Sequence, residues 1–460
     1  MRIEAGRGFA AGAAGCLALL GACTFSTDRT VKPHLLSKPL PAAFVNSFNL
    51  EDKLRRGYVP EILQFFAEGG GKTIDSTRAS RVLGQCLLER GDFAEASRHL
   101  ELALGREARP GERAELAWQL SQSAYFQNRF GDSARWGERA RAEGRQIPVG
   151  WIAFLDALAG ETLYGGVAPG TRFTESFRFG RPDLIRVSAQ VNGVKQDGLV
   201  LDSGASLSLL TESAAARLGV TKIPDAVASA MGLHNTEFPL HFGLAKTLEV
   251  GGVTLTNVPF GILADAFLTF QRNDDVKLEC PGVLGVHLLK EFDWAIHYRD
   301  RRLLAVRLDP SPRRGSKDQN LFFRRLKPMV RASFNQEPWF LFLLDTGAEP
   351  TMVTRSGLRH SRTAEVEGAY PMTLEGIGNS RVSWGKTSNV TVGLDRFMVH
   401  FKDMVIKEED DGIADGVIGS SFLANFDAEL RFSAMTLRVE QPRFPGLPEE
   451  RLPTPGQRVQ

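Results

Sequence analysis

Two distant stretches of this chain repeat one another. VNGVKQDGLVLDSGASLSLL spans 191–210, and FNQEPWFLFLLDTGAEPTMV spans 334–353. Asn192 lies ten residues before Asp202, and Asn335 lies ten before Asp345. A second pair, GVLGVHLLKEFDWAIHYRDRRLLAV (282–306) and GVIGSSFLANFDAELRFSAMTLRVE (416–440), aligns without a gap. Gly285 and Gly419 each stand seven residues before a phenylalanine (Phe292, Phe426), thirteen before an aromatic (Tyr298, Phe432) and eighteen before a leucine (Leu303, Leu437). A chain with this duplication has to build two half-units that follow the same path. Each Asn sits where a hairpin turn would join two strands, the second of which delivers the Asp. An unpaired carboxylate at the end of a buried strand is costly, so each Asp needs a partner. Either triplet alone, Asp-Ser-Gly or Asp-Thr-Gly, would be an ordinary turn; two in matching contexts are a paired feature.

The texture around the copies sets the domain plan. From about 181 onward, short runs of Val, Ile, Leu and Phe are broken by Gly, Asn and Asp, an all-β pattern. It divides at DPSPRRGSKDQN (309–320), a polar Pro/Gly/Ser linker, into lobes at 175–308 and 321–440. The tail at 441–460 holds five prolines and reads as disordered. Residues 48–163 have a helical pattern, in which LGQCLLERGDFAEASRHLELAL (83–104) resembles LSQSAYFQNRFGDSARWGERAR (120–141). Phe93 matches Phe130 and Ala96 matches Ser133, a spacing of 37 with small residues at tight helix–helix corners. That period resembles tetratricopeptide helical pairs, with a plain helical bundle as the alternative.

The N-terminus, MRIEAGRGFAAGAAGCLALLGAC, has the basic start and apolar core of a secretory signal. Leu20-Gly21-Ala22-Cys23 resembles the lipobox of bacterial lipoproteins. That resemblance implies a signal at 1–23, lipidation of Cys23, a tether at 24–47 and outer-membrane sorting with the protein facing the periplasm. A plain cleaved signal peptide is the alternative, and either implies export. Of the four cysteines, Cys86 and Cys280 would then remain, in different domains, and a bridge between them is not favoured. The formal net charge of +2 gives no argument for nucleic acid.

Taken together, the two β segments resemble the pepsin and retropepsin aspartic proteases. Each supplies hydrophobic–Asp-Ser/Thr-Gly-Ala and later a hydrophobic–hydrophobic–Gly element (Val283-Leu284-Gly285; Val417-Ile418-Gly419). LLDTGAEPTMV is close to the retroviral form, with Glu349 where an Asp is usual. The resemblance implies a multidomain α plus all-β chain, with a helical repeat region followed by a bilobal, pepsin-like acid-protease β-barrel unit. It implies that Asp202 and Asp345 form one site, since two carboxylates held together raise one another's pKa and share a proton. The ionised member would draw a proton from water and the protonated member would donate to a peptide carbonyl. That chemistry needs no cofactor and no metal.

Ser203 and Thr346 carry hydroxyls able to bond across to the opposing loop. Gly204 and Gly347 let backbone approach the carboxylates and offer them amides. Gly285 and Gly419, by the same resemblance, close the loop behind each Asp. Gly232, and Gly376 with Gly378, stand where hairpin flaps would fold over an extended peptide. A single chain with both half-sites would act as a monomer, and the helical region could take a protein partner. The rival reading is a non-catalytic peptide-binding scaffold that uses the helices for assembly.

Other motifs carry less. FAEGGGKT (66–73) has the outline of a phosphate loop, but its first Gly would fall on Phe66 and it follows a helical pattern. There is no zinc spacing, no Gly-x-Ser-x-Gly, and His287 and His297 read as packed or exposed residues.

Overall fold

The computed structural model describes residues 34–35, 45–179, 183–231, 237–273, 276–309, 318–361, 363, 372–375, 381–407 and 412–441. The N-terminal helices are α1 (Leu50–Arg55), α2 (Val59–Ala67), α3 (Ser76–Arg90), α4 (Phe93–Arg106), α5 (Pro110–Phe126), α6 (Phe130–Ala142) and α7 (Val149–Ala157). Local chemistry sets several boundaries. Asp75 caps α3 by accepting from the Thr77 and Arg78 amides at 2.9 and 3.0 Å. Gly91 ends it at φ 84°, and Asn128, 37 residues later, plays the same left-handed part after α5 at φ 58°. Pro110 opens α5 where no amide is missed. The two α-hairpins close on small residues. Gly84 lies against Leu100, and Ser121 exchanges hydroxyl-to-carbonyl bonds with Ser133 at 2.7 and 2.9 Å. The GGKT segment is a short 3-10 turn that follows helix α2 directly and leads into α3.

Six strands close a ring in the first lobe. Their order is 186–191, 194–202, 282–285, 209–211, 253–263 and 237–250, with 237–250 pairing back to 186–191. The second lobe repeats the path as 327–334, 337–344, 416–418, 352–354, 397–407 and 386–394, closing on 327–334. Both Asn turns are hairpin turns with left-handed central residues, Asn192-Gly193 (φ 51° and 78°) and Asn335-Gln336 (φ 49° and 64°). Each Asn side chain then ties its turn to a neighbouring strand: Asn192 Oδ1 accepts from the Lys246 and Thr247 amides, and Asn335 Oδ1 from the Thr391 amide.

A separate five-stranded sheet joins the lobes, in the order 172–176, 302–307, 292–297, 427–431, 436–440. Its central pair is antiparallel and sets Ala295 opposite Glu429, with Trp294 opposite Leu430 and Ile296 opposite Ala428. Ala295 and Glu429 are equivalent positions of the ungapped repeat, so a two-fold pseudo-axis passes through this pair. His297 and Asp427 close the same ladder with Nδ1 and Oδ2 3.2 Å apart. His34 and Leu35, within the segment read as a tether, pair with Met398 and Phe397 on the outer edge of the second lobe.

The helices are not a separate bead. One continuous apolar core runs from Leu87, Phe93, Tyr125 and Phe154 into both lobes. Phe154 stacks on Phe242 at 4.2 Å between ring centres, and Phe126 packs on Phe323 at 4.6 Å. α5 has buried residues on successive positions from Leu116 to Ser121, as expected of a helix covered on every side. Two ion pairs fasten the joint, Arg324–Glu89 and Arg331–Glu61, each at 2.9 Å and largely buried.

Candidate active site

Each candidate Asp is delivered by the same device. The strand 194–202 runs parallel to 282–285, setting Gly285 beside Asp202, while 337–344 runs parallel to 416–418 and the Asp345 amide donates to the Ile418 carbonyl at 3.0 Å. Both carboxyls are fully buried. Oδ1 of Asp202 accepts from the amides of Gly204 (2.8 Å) and Ala205 (3.1 Å), and Oδ1 of Asp345 accepts from the Gly347 amide (3.0 Å). Oδ2 of each is buried and, among the described residues, receives no hydrogen bond from a main-chain or hydroxyl donor.

The two carboxyls meet at the lobe interface. A β-carbon added to Gly204 would lie 2.4 Å from the Asp345 carboxyl carbon, and one added to Gly347 would lie 2.4 Å from that of Asp202. Any side chain there would occupy the space the opposing carboxylate holds, and this requires glycine more strictly than backbone freedom does. The hydroxyls of the two triplets lace the loops together. The Ser203 hydroxyl donates to the Leu344 carbonyl (2.8 Å) and accepts from the Thr346 amide (3.0 Å). Reciprocally, the Thr346 hydroxyl donates to the Leu201 carbonyl (2.7 Å) and accepts from the Ser203 amide (3.0 Å). All four bonds cross between lobes and obey the two-fold relation.

Gly285 and Gly419 stand against the backbone just after each triplet. A β-carbon would lie 2.4 Å from the Leu207 carbonyl carbon in one lobe and from the Pro350 carbonyl oxygen in the other. The amide of Gly285 donates to the Ser208 hydroxyl (3.0 Å), and that of Gly419 to the Thr351 hydroxyl (3.2 Å). Ser208 and Thr351 lie outside the motif residues of the two triplets. Their signal was their equal distance, six residues, from Asp202 and Asp345.

Burial is the main cause that raises both carboxyls. Asp202 is held well above the ordinary carboxylate range by burial, then by the negative charge of Asp345. Asp345 is pushed up to about 6 by burial, against the opposing pull of Lys327 and the Gly347 amide. The pair therefore titrates as a coupled unit in which one proton is retained well above the pH at which a free carboxylic acid loses it.

The hairpins expected over the site have their strands in place: 221–231 pairs with 237–250, and 372–375 with 381–384. Gly232, Gly376 and Gly378, between those strands, lie outside the described residues, as does Cys23. His287 is fully buried, between the Tyr164 hydroxyl (2.8 Å from Nδ1) and the Tyr125 carbonyl (3.3 Å from Nε2). Cys86 and Cys280 are buried free thiols.

Two closed six-strand lobes, each bringing one Asp loop to a shared pseudo-axis behind a helical region, fit a two-lobed aspartic protease. Within this chain, residues 187–288 match the family model described as aspartyl protease. Among solved structures, the chain is similar to a retropepsin-like aspartic protease from Rickettsia conorii, with 19% identity, 29% of this chain and 89% of that chain covered, and a TM-score of 0.20. It is also similar to the aspartic proteinase from Irpex lacteus, with 12% identity, 59% and 97% covered, and a TM-score of 0.35. No curated protein matches the sequence.

Proposed function

We propose that this chain is an aspartic endopeptidase of the bacterial cell envelope, with Asp202 and Asp345 as its catalytic residues. The observation that carries the reading is the meeting of two buried carboxyls, each against the other lobe's glycine, with no main-chain or hydroxyl donor on their Oδ2 atoms among the described residues. In this reading a water lies between them. The ionised carboxylate takes its proton, the oxygen bonds to the peptide carbonyl carbon, and the protonated carboxyl gives its proton to the carbonyl oxygen. Collapse of the tetrahedral species then breaks the C–N bond as a dyad proton passes to the leaving nitrogen and a hydroxyl of the tetrahedral carbon returns its proton to the dyad. Water is consumed, and the carboxyl pair ends with the one proton it began with.

The substrate is an extended peptide whose backbone pairs beneath the two hairpins. A single chain suffices, since both half-sites are present. Lipidation at Cys23 would hold the molecule on the outer membrane, facing the periplasm, with 24–47 as the tether. The test is hydrolysis of a mixed peptide pool by the purified chain, beside Asp202→Asn and Asp345→Asn. Cleavage that disappears in both variants supports the dyad, while cleavage that survives in either removes it. A wild-type chain that binds peptides and cuts none between mildly acid and neutral pH would favour the scaffold reading. Incorporation of labelled diacylglycerol, lost in Cys23→Ser, tests the anchor.

A further inference from the structure

The two half-sites match closely but not fully, and one difference lies across the ladder from each Asp. Asp345 lies 143 residues after Asp202, and the same interval carries Ser203 to Thr346, Ser208 to Thr351, and Leu184 to Lys327. In the second lobe the ladder pairs Val330 with Phe342 and Met329 with Leu343. Carried two residues further, it sets Lys327 opposite Asp345. In the first lobe Val187 pairs with Leu199 and Arg186 with Val200, and the Leu201 amide donates to the Ile185 carbonyl at 2.9 Å. The same extension sets Leu184 opposite Asp202. Both residues are buried, Leu184 at 3% and Lys327 at 5% exposure. One Asp of the pair thus stands opposite an aliphatic residue across its ladder, and the other stands opposite a buried lysine.

We infer that Lys327 is a positioning residue for the dyad proton: it fixes Asp345 as the ionised member and leaves the proton on Asp202. This rests on the peptidase reading for its consequence, because it assigns Asp345 as the base toward water and Asp202 as the acid toward the carbonyl. The surroundings are consistent with that polarity. Lys327 is the charge that most favours ionisation of Asp345, with Lys407 on the 397–407 strand acting in the same direction. The charge acting most strongly on Asp202 is Asp345 itself, which opposes its ionisation. Other charged groups lie on the first-lobe side. Arg186 answers to Cys280, Glu349 and Asp183, and the Cys280 thiol is itself disfavoured from ionising by Asp202. Coulomb attraction between buried groups is screened far less than at a surface, so one ammonium is enough to bias a shared proton.

The test titrates the full chain carrying carboxyl-labelled aspartate by carbon-13 NMR, with the dyad signals assigned by their loss in Asp202→Asn and Asp345→Asn. In the wild type the lower dyad titration should report on Asp345. Lys327→Met should raise it by on the order of one pH unit, the size expected for removing an opposite charge at close range. Lys327→Arg should hold it at the wild-type position. Should Lys327→Met not fold, Lys327→Gln removes the same charge with a polar end in place. A lower titration that belongs to Asp202, that stays put in the neutral variant, or that rises as much in Lys327→Arg, overturns the inference. In the kinetic arm, the acid limb of kcat/KM should move upward with the NMR value. A wild type that cuts no peptide but shows the NMR shift would sink the peptidase reading and leave Lys327 as assigned. Peptide cleavage with an unmoved titration would do the reverse.

Discussion

At Gly204 and Gly347 the constraint comes from across the interface, because the atom each would gain lies inside the opposing carboxyl. Gly204→Ala should therefore push the lobes apart at the dyad, costing about 1–3 kcal/mol by overpacking and most of the peptidase activity, read by melting and by peptide turnover. The carboxyls themselves make stability depend on pH. Both are raised above their ordinary value, so the folded state binds more protons than the unfolded chain. The Asp345 contribution is fully present below the ordinary carboxylate value of 3.8 and is lost as pH rises through about 6, and that of Asp202 has the same sign. The melting temperature of the wild type should carry a downward dyad component over that window. Asp345→Asn, which removes the like charge, should flatten it. A component unchanged in that variant would show that other groups set the slope.

The elements that matter are the two Asp loops and the hairpins above them. Ser203 and Thr346 each hold the opposite loop through one donated and one accepted bond, so neither hydroxyl is spare. Loss of one leaves a buried amide and a buried carbonyl unpaired, at about 1–3 kcal/mol. Ser203→Ala and Thr346→Ala should each lower the urea midpoint, and the double variant should lose less than the sum of the two, because the bonds form one network. The first-lobe hairpin is also held from behind. Gly150 on α7 comes so close to strand 221–231 that a β-carbon would lie 1.7 Å from the Val227 carbonyl oxygen. Gly150→Ala should lift α7 from the hairpin and expose the stacked Phe154–Phe242 pair, detectable as faster hydrogen exchange in 221–250.

Across the whole molecule, the helical region and the lobes are one folding unit. α5 packs inward on the lobes, with Tyr125 4.3 Å from the His287 ring and Phe126 against Phe323. His287 directly follows Val286, whose amide donates to the Ala205 carbonyl beside the first Asp loop. The helices thus abut the backbone that supports the site. Removing 48–163 should give an insoluble chain, not a free catalytic unit, a result read by expression and sedimentation. The buried Arg324–Glu89 pair sharpens the point. Glu89→Ala should destabilise the whole chain by up to about 3–5 kcal/mol, since it leaves the Arg324 charge with backbone carbonyls but no carboxylate. Replacing both partners by apolar residues should cost much less.

The sequence by itself determined the duplication, and with it the two lobes, both Asn hairpin turns and the residues brought to the pseudo-axis. Those features follow from short-range rules: a left-handed turn at Asn, an apolar strand, a small residue after each Asp. The helix hairpins were equally legible, in the 37-residue recurrence that turns Gly91 into Asn128. Other features had no local signal. The fusion of helices to lobes depends on which faces of α5 and α7 meet Phe323 and Val227, a contact set no periodicity encodes. Lys327 reads in the sequence as an ordinary polar residue before a strand; only strand register, fixed by closure of the barrel, puts it opposite Asp345. The pairing of Ala295 with Glu429 arises in the same way, from two copies meeting face to face. Sequence determined what each half contains, and the tertiary structure decided how the halves differ, because charge and packing act between residues that only folding brings together.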